Sequence, residues 1–192
     1  MDYIGEHSLF AFLGRASVAL AFSGSVATFI FYSLYYAGSK KEKNKHLSGL
    51  KSAGRLSFLL HSIGVIGTIS ILFVALFNHW FEFDYVWRHS SLEMPMKYIA
   101  SCFWEGQEGS FLLWTTWHMI LGWVLIVTAR KWEFGTLMLL AMVQMFLTSM
   151  LLGIYIGDIK IGSSPFILIR ELPENIGLPW TEMKDYLIRL PS

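Results

Sequence analysis

Charge is what this chain lacks over most of its length. No Asp, Glu, Lys or Arg occurs in residues 16–39, 56–81, 109–129 or 134–157. Each gap exceeds the ~20 residues that a helix needs to cross a hydrocarbon core about 30 Å thick. Cysteine is nearly absent as well. Cys102 stands alone, which excludes an internal disulfide and a thiolate metal cluster; a small apolar filler is expected over a redox or covalent role. No glycine run leads into the Lys-Ser or Lys-Thr of a phosphate loop. Gly162-Ser163-Ser164 is followed by Pro165 and by no histidine, so the serine–histidine pair of an intramembrane protease is missing. The ten-residue alternating segments of a membrane β-barrel are missing too.

What is present is apolar. Hydrophobic residues make up 54% of 192 positions against 15% charged, with a mean hydropathy of +0.49. A soluble domain of this size has no use for so much apolar surface. The expected fold class is therefore all-α integral membrane, with four transmembrane helices at about 12–37, 56–80, 109–129 and 134–157. Residues 158–192 form an outer-side tail. Within it Trp180, Met183, Leu187 and Leu190 recur at helical spacing with Glu182, Lys184, Asp185 and Arg189 between them, as in an amphipathic helix lying on a membrane or a partner.

The loops set the orientation. Lys40, Lys41, Lys43, Lys45, Lys51 and Arg55 crowd the first connector, and Arg130 and Lys131 the third. Asp2 and Glu6 precede the first span, and Glu82, Asp84, Glu93, Glu105 and Glu108 dominate the second connector. Basic loops stay cytoplasmic, so both termini and the second connector are expected outside. The acidic flank and long apolar run of the first span exclude a cleavable signal peptide. Arg15, about two turns inside that span, is expected to snorkel to the headgroups, with a buried functional charge as the alternative.

Histidine within a span is the natural suspect for haem ligation. His61 lies roughly 8 Å, and His118 roughly 16 Å, from the cytoplasmic end of its helix at 1.5 Å per residue, so the two make a poor axial pair. His118, near the bilayer middle, needs a partner. The expected one is a hydrogen bond to Gln144 or Thr148 on the fourth span, and the alternative is a ligand role completed by another polypeptide.

Residues 103–114, Phe-Trp-Glu-Gly-Gln-Glu-Gly-Ser-Phe-Leu-Leu-Trp, gather two carboxylates, two glycines and two tryptophans at the outer start of the third span. Residue types alone have a structural explanation. Glu105 and Glu108 complement a helix amino terminus. Gly106 and Gly109 permit close helix approach. Trp104 and Trp114, with Trp80, Trp87 and Trp117, populate an outer aromatic belt.

Their order suggests more. The run from Trp104 through Glu108-Gly109-Ser110 to Trp114 resembles the Trp-Gly-x-His-Glu-Gly-Ser-x-x-x-Trp signature of CcmF-type cytochrome c haem lyases. Tyr85-Val86, Ser90-Ser91, Pro95 and Tyr98 upstream are similar to that family's second connector. Ser164-Pro165-Phe166, Leu172-Pro173 and Gly177 resemble its loop after the fourth span. Glu105 and Gln107 stand where the family has glycine and histidine. The family's tryptophan-rich loop and His-Pro-Pro segment lie further along a longer protein and have no counterpart here.

The resemblance implies the amino-terminal portion of a lyase of the CcmF/CcsA superfamily in the bacterial cytoplasmic (inner) membrane. That portion would serve as scaffold for covalent attachment of haem to apocytochrome c on the outer side. Haem is the implied cofactor, with its ligands outside this chain. The implied partners are the remainder of the lyase, a haem chaperone, apocytochrome c and the lipid bilayer, with no nucleic acid. No catalytic residue is identified; Trp104, Glu108, Trp114 and His118 are the candidate haem-proximal or interface residues. The competing expectation is a non-catalytic membrane subunit, such as a small transporter or a cytochrome b-like anchor.

Overall fold

The computed structural model describes residues 6–39, 47–129, 132–156 and 159–172. Among the described residues, four helices are long and apolar enough to cross a membrane: α1 (Ser8–Ser39), α2 (Leu47–Phe77), α5 (Gln107–Thr128) and α6 (Glu133–Leu152). Two short helices, α3 (Asp84–His89) and α4 (Met96–Cys102), lie between α2 and α5. The chain is an all-α, multi-pass membrane protein. A small ribbon follows α6, with β1 (Ile154–Ile156) antiparallel to β2 (Ile159–Ile161). The expected tail helix around Trp180 to Leu190 lies outside the described residues.

The fourth helix ends earlier than its uncharged run. Gly153 takes a left-handed conformation, with φ 64°, and stops α6 at Leu152, so Ile154–Ile156 leave the helix although they carry no charge. Left-handed backbone is cheap for glycine and ends many helices. Charge-free length thus overstated this span.

α1 and α2 pack backbone to backbone. A Cβ on Gly64 would lie 2.5 Å from the Ala21 nitrogen, and one on Gly24 would lie 2.5 Å from the His61 nitrogen. Small residues at such crossings allow dispersion contacts that lipid tails cannot better. Further along, Phe58 of α2 fills the space over Gly122 of α5, and the Trp123 indole donates to Ser62 Oγ at 2.9 Å. Buried hydroxyls in the spans, such as Thr28, Thr68 and Thr148, donate to carbonyls one turn back at 2.6–2.8 Å. They are satisfied within their own helices, as a polar group in hydrocarbon has to be.

The later part of α1 and the starts of α2 and α6 meet at one end of the bundle. There the Glu133 carboxylate, 1% exposed, accepts from Arg55 Nε at 2.7 Å and Nη2 at 2.8 Å. It also accepts from Lys51 Nζ at 2.7 Å and the Tyr32 hydroxyl at 3.0 Å. One buried anion therefore ties α1, α2 and α6.

The opposite end carries a folded cap. Residues 162–172 run back as a strap across the start of α1 and the loop before α3. Phe83 and Leu168 form an antiparallel bridge, flanked by Asp84 N–H donating to the Ile167 carbonyl at 3.0 Å and Ile169 N–H to the Glu82 carbonyl at 2.9 Å. Phe166 is fully buried against Gly14. Arg15 donates through Nε and Nη2 to the Phe166 carbonyl at 3.2 and 2.9 Å and pairs with Glu171. Expected to snorkel to headgroups, this guanidinium is held by protein acceptors in the cap. Arg170 holds Glu6 at 2.9 and 3.0 Å, and His7 stacks on Trp80 at 3.9 Å with its Nδ1 2.5 Å from Glu82 Oε1.

Candidate functional site: a polar pocket in the cap

The signature stretch straddles the turn from α4 into α5. Cys102 ends α4, residues 103–106 form the turn, and α5 opens at Gln107 with Gly106 as its cap residue. Tyr85 of α3 clamps this turn. Its buried hydroxyl lies 2.9 Å from the Phe103 carbonyl and 3.1 Å from that of Cys102, and it accepts the Gly106 N–H at 3.3 Å. Burial pushes the Tyr85 phenol well above its ordinary range, so it stays protonated and able to donate.

The two glycines are explained by this clamp. A Cβ on Gly109 would stand 1.7 Å from the Phe103 carbonyl oxygen, and one on Gly106 would meet the Tyr85 ring and His89 Nε2 at 2.7 and 2.8 Å. They were expected to let two long helices approach. Instead they let a turn fold back on the first turn of α5 beneath α3. Glu108 lies in that first turn, where a carboxylate suits the helix dipole, whereas Glu105 precedes the helix.

Glu108 also lines a pocket of about 300 Å³ with Asp84, Tyr85, Arg88, His89, Ser163 and Leu172. Arg88 Nε pairs with Asp84 Oδ1 at 2.8 Å, one turn apart on α3. His89 stacks on Tyr85 at 4.4 Å, and its Nδ1 meets the Tyr85 carbonyl at 2.8 Å. A carbonyl only accepts, so Nδ1 carries the proton and a neutral ring keeps a bare Nε2. The pocket thus offers two carboxylates, a guanidinium and an imidazole acceptor, a set suited to a small polar or cationic group. No cluster of three His, Cys, Asp or Glu side chains placed to hold a metal occurs among the described residues.

The four candidate residues do not converge. Trp104, 49% exposed, sits in the turn, and its carbonyl accepts Ser110 Oγ at 3.1 Å. Glu108 faces the pocket. Trp114, six residues on, falls on another face of a helix with 3.6 residues per turn, and it is exposed. His118 lies one turn below Trp114, with Nδ1 2.8 Å from the Trp114 carbonyl. Its expected bond to Gln144 or Thr148 is not made. Gln144 Nε2 donates to the Thr115 carbonyl at 2.9 Å instead, because Thr115 is on the buried side of α5 and His118 at the edge of the exposed one. Trp117, placed in the belt by composition, is likewise exposed well down the helix.

His89 was not read from the sequence, although a signal was there. Asp84-x-x-x-Arg88 and Tyr85-x-x-x-His89 interleave at one-turn spacing between Phe83 and Ser90. Cys102 behaves as expected of a filler: it is buried with Sγ 3.3 Å from Met94 Sδ, and burial pushes its thiol up, away from thiolate chemistry.

Haem does not fit between His61 and His118. His61 is wholly buried against α1, with Nδ1 2.8 Å from the Ala21 carbonyl, and the α2–α5 contact is filled by Phe58 on Gly122. That leaves no slot for a porphyrin between His61 and His118.

Fold and cap together define a four-span membrane protein with a structured polar face at one end. Compared with curated proteins, the chain is 31% identical over 114 residues to the cytochrome c-type biogenesis protein CcmF of Haemophilus influenzae. The match covers 57% of this chain and 16% of that relative, so it spans a small part of a much longer protein. No protein-family model matches the chain, and no solved structure does.

Proposed function

We propose that this chain takes part in cytochrome c biogenesis as the amino-terminal membrane scaffold of a CcmF-type haem lyase. It presents its cap on the outer side of the inner membrane, where haem is joined to apocytochrome c. One observation carries the reading: the similarity to a cytochrome c biogenesis protein over 114 residues. The cap is compatible with it. Tyr85, Gly106 and Gly109 hold the turn that bears Trp104 against the first turn of α5 that bears Glu108, so these signature residues form a fixed surface and not a mobile loop.

In this reading both termini face outward and the Glu133 hub faces the cytoplasm, as the basic connectors demand. The cap contributes shape and charge, and the residues that bond haem belong to the rest of the lyase. Glu108, Asp84, Arg88 and His89 form the polar recess nearest the signature. They orient a polar group of the haem donor or the apocytochrome.

The test is holocytochrome c yield in cells carrying the complete lyase. Glu108→Gln and Trp104→Ala are expected to lower it severalfold, consistent with one polar contact worth about 1 kcal/mol or more. Normal yield in both variants would leave the cap as packing alone and remove this reading.

A further inference from the structure

α5 is the least covered of the four spans: 22% of its apolar window is buried, against 44% for α2 and 33% for α1 and α6. Its bare face is specific. Trp114, Trp117, Leu121 and Val124 recur at helical spacing and are 61%, 59%, 50% and 51% exposed. His118 flanks this stripe, half-exposed, eleven residues into a helix of 22 and so about 16 Å from its start. That is close to mid-bilayer.

Two features of this face are wrong for lipid. Tryptophan favours the membrane–water interface, where its N–H finds a partner, yet Trp117 lies about 15 Å down the helix. The second feature is the imidazole. Its Nδ1 proton is taken by the Trp114 carbonyl, so a neutral His118 presents Nε2 as a bare acceptor. No partner reaches that atom among the described residues. A polar group at this depth on a lipid-facing surface is costly, and such groups ordinarily face other protein.

The geometry points to the Trp114–Trp117–His118–Leu121 face of α5 as the docking surface for another transmembrane helix. That helix carries a side-chain O–H or N–H donor level with His118. The inference rests on the lyase reading for the identity of the partner: the matched segment is 16% of its relative, and the proposed occupant is a helix from the rest of that longer lyase. The complement is chemical. The partner supplies a donor to Nε2, small or apolar residues against the tryptophan rings, and an acceptor within reach of the Trp117 indole.

The experiment places a benzoylphenylalanine photo-crosslinker at Trp117 in membranes that hold the chain together with the rest of its lyase. Irradiation is expected to capture a peptide from a transmembrane segment of that lyase. His118→Leu should lower the yield about three- to fivefold, the equivalent of one hydrogen bond between membrane helices. His118→Gln, whose amide oxygen also accepts, should restore it. Labelling of lipid alone, capture of only a second copy of this chain, or an equal yield in His118→Leu would each overturn the docking. Because the probe in the unaltered His118 background reports by itself, misfolding of a variant does not hide the answer. Holocytochrome yield in the Glu108 and Trp104 variants is read separately, so a failed dock and a failed lyase reading give different results.

Discussion

The two ends of the bundle solve the same problem differently. At the end that holds Glu133 one carboxylate collects two cations and a hydroxyl from two other helices. At the cap end charge is shared out: Arg15 with Glu171, Arg170 with Glu6, and His7 with Glu82, each pair joining a different stretch of chain. The Glu133 arrangement fails as a unit when its one anion is lost. The cap loses one tie at a time, and its shape depends more on close backbone contact than on any single ion pair.

That comparison can be broken in order of effect. Gly109→Ala should be the most damaging single change, because a methyl group would be driven into the Phe103 carbonyl. Overpacking of this kind costs about 3 kcal/mol. Hydrogen exchange should rise across residues 84–106 and spare the spans; uniform exchange across the whole chain would mean that the cap is not a separate unit.

Glu133→Ala comes next. It removes the acceptor of Tyr32, Arg55 and Lys51 together. Both cations are partly exposed and regain water, so the expected loss is about 2 kcal/mol, below that of stranding a fully buried charge. SDS titration in mixed micelles would measure it, and Lys51→Ala alone should cost much less. Equal losses would show that the hub is a set of separate pairs.

Arg170→Ala should cost about 1 kcal/mol or less. The Glu6 side chain left behind is 2% exposed, but burial, opposed by Arg170, already holds its pKa above the usual carboxylate value. It can therefore take a proton and avoid a stranded charge.

The smallest effect is a pH slope. With the folded pKa of Glu6 raised, the folded state binds its proton more tightly than the unfolded chain does. Stability from this group is complete below the ordinary carboxylate pKa and is lost as pH rises through the raised value. Glu6→Gln should flatten that part of the pH–stability curve, and an unchanged slope would assign it to another group.

Much of the scaffold was legible. Four charge-free runs became four helices, but ends differ: α2 stops at Phe77, short of residue 80, and α6 at Leu152, where a glycine in left-handed backbone outranks hydropathy. The candidate site was half legible. The stretch from Trp104 to Trp114 was picked out by residue order, but not the reason for its glycines. That reason lies in Tyr85, a residue from a separate helix whose hydroxyl reaches the turn. His118 was recognised as a polar group in need of a partner. Its partner was misjudged, since matching depth does not say which way a side chain faces.

Sequence by itself determined the class of protein and the number of its spans. Transfer of a helix from water to lipid depends on about twenty consecutive side chains, and that is a one-dimensional property. Only the tertiary structure decided which polar groups meet. Arg15 and Glu171 are 156 residues apart and Arg55 and Glu133 are 78 apart, and no local pattern encodes such pairs. It also decided which face of α5 stays bare, because the apolar residues that meet lipid and those that meet protein are the same ones.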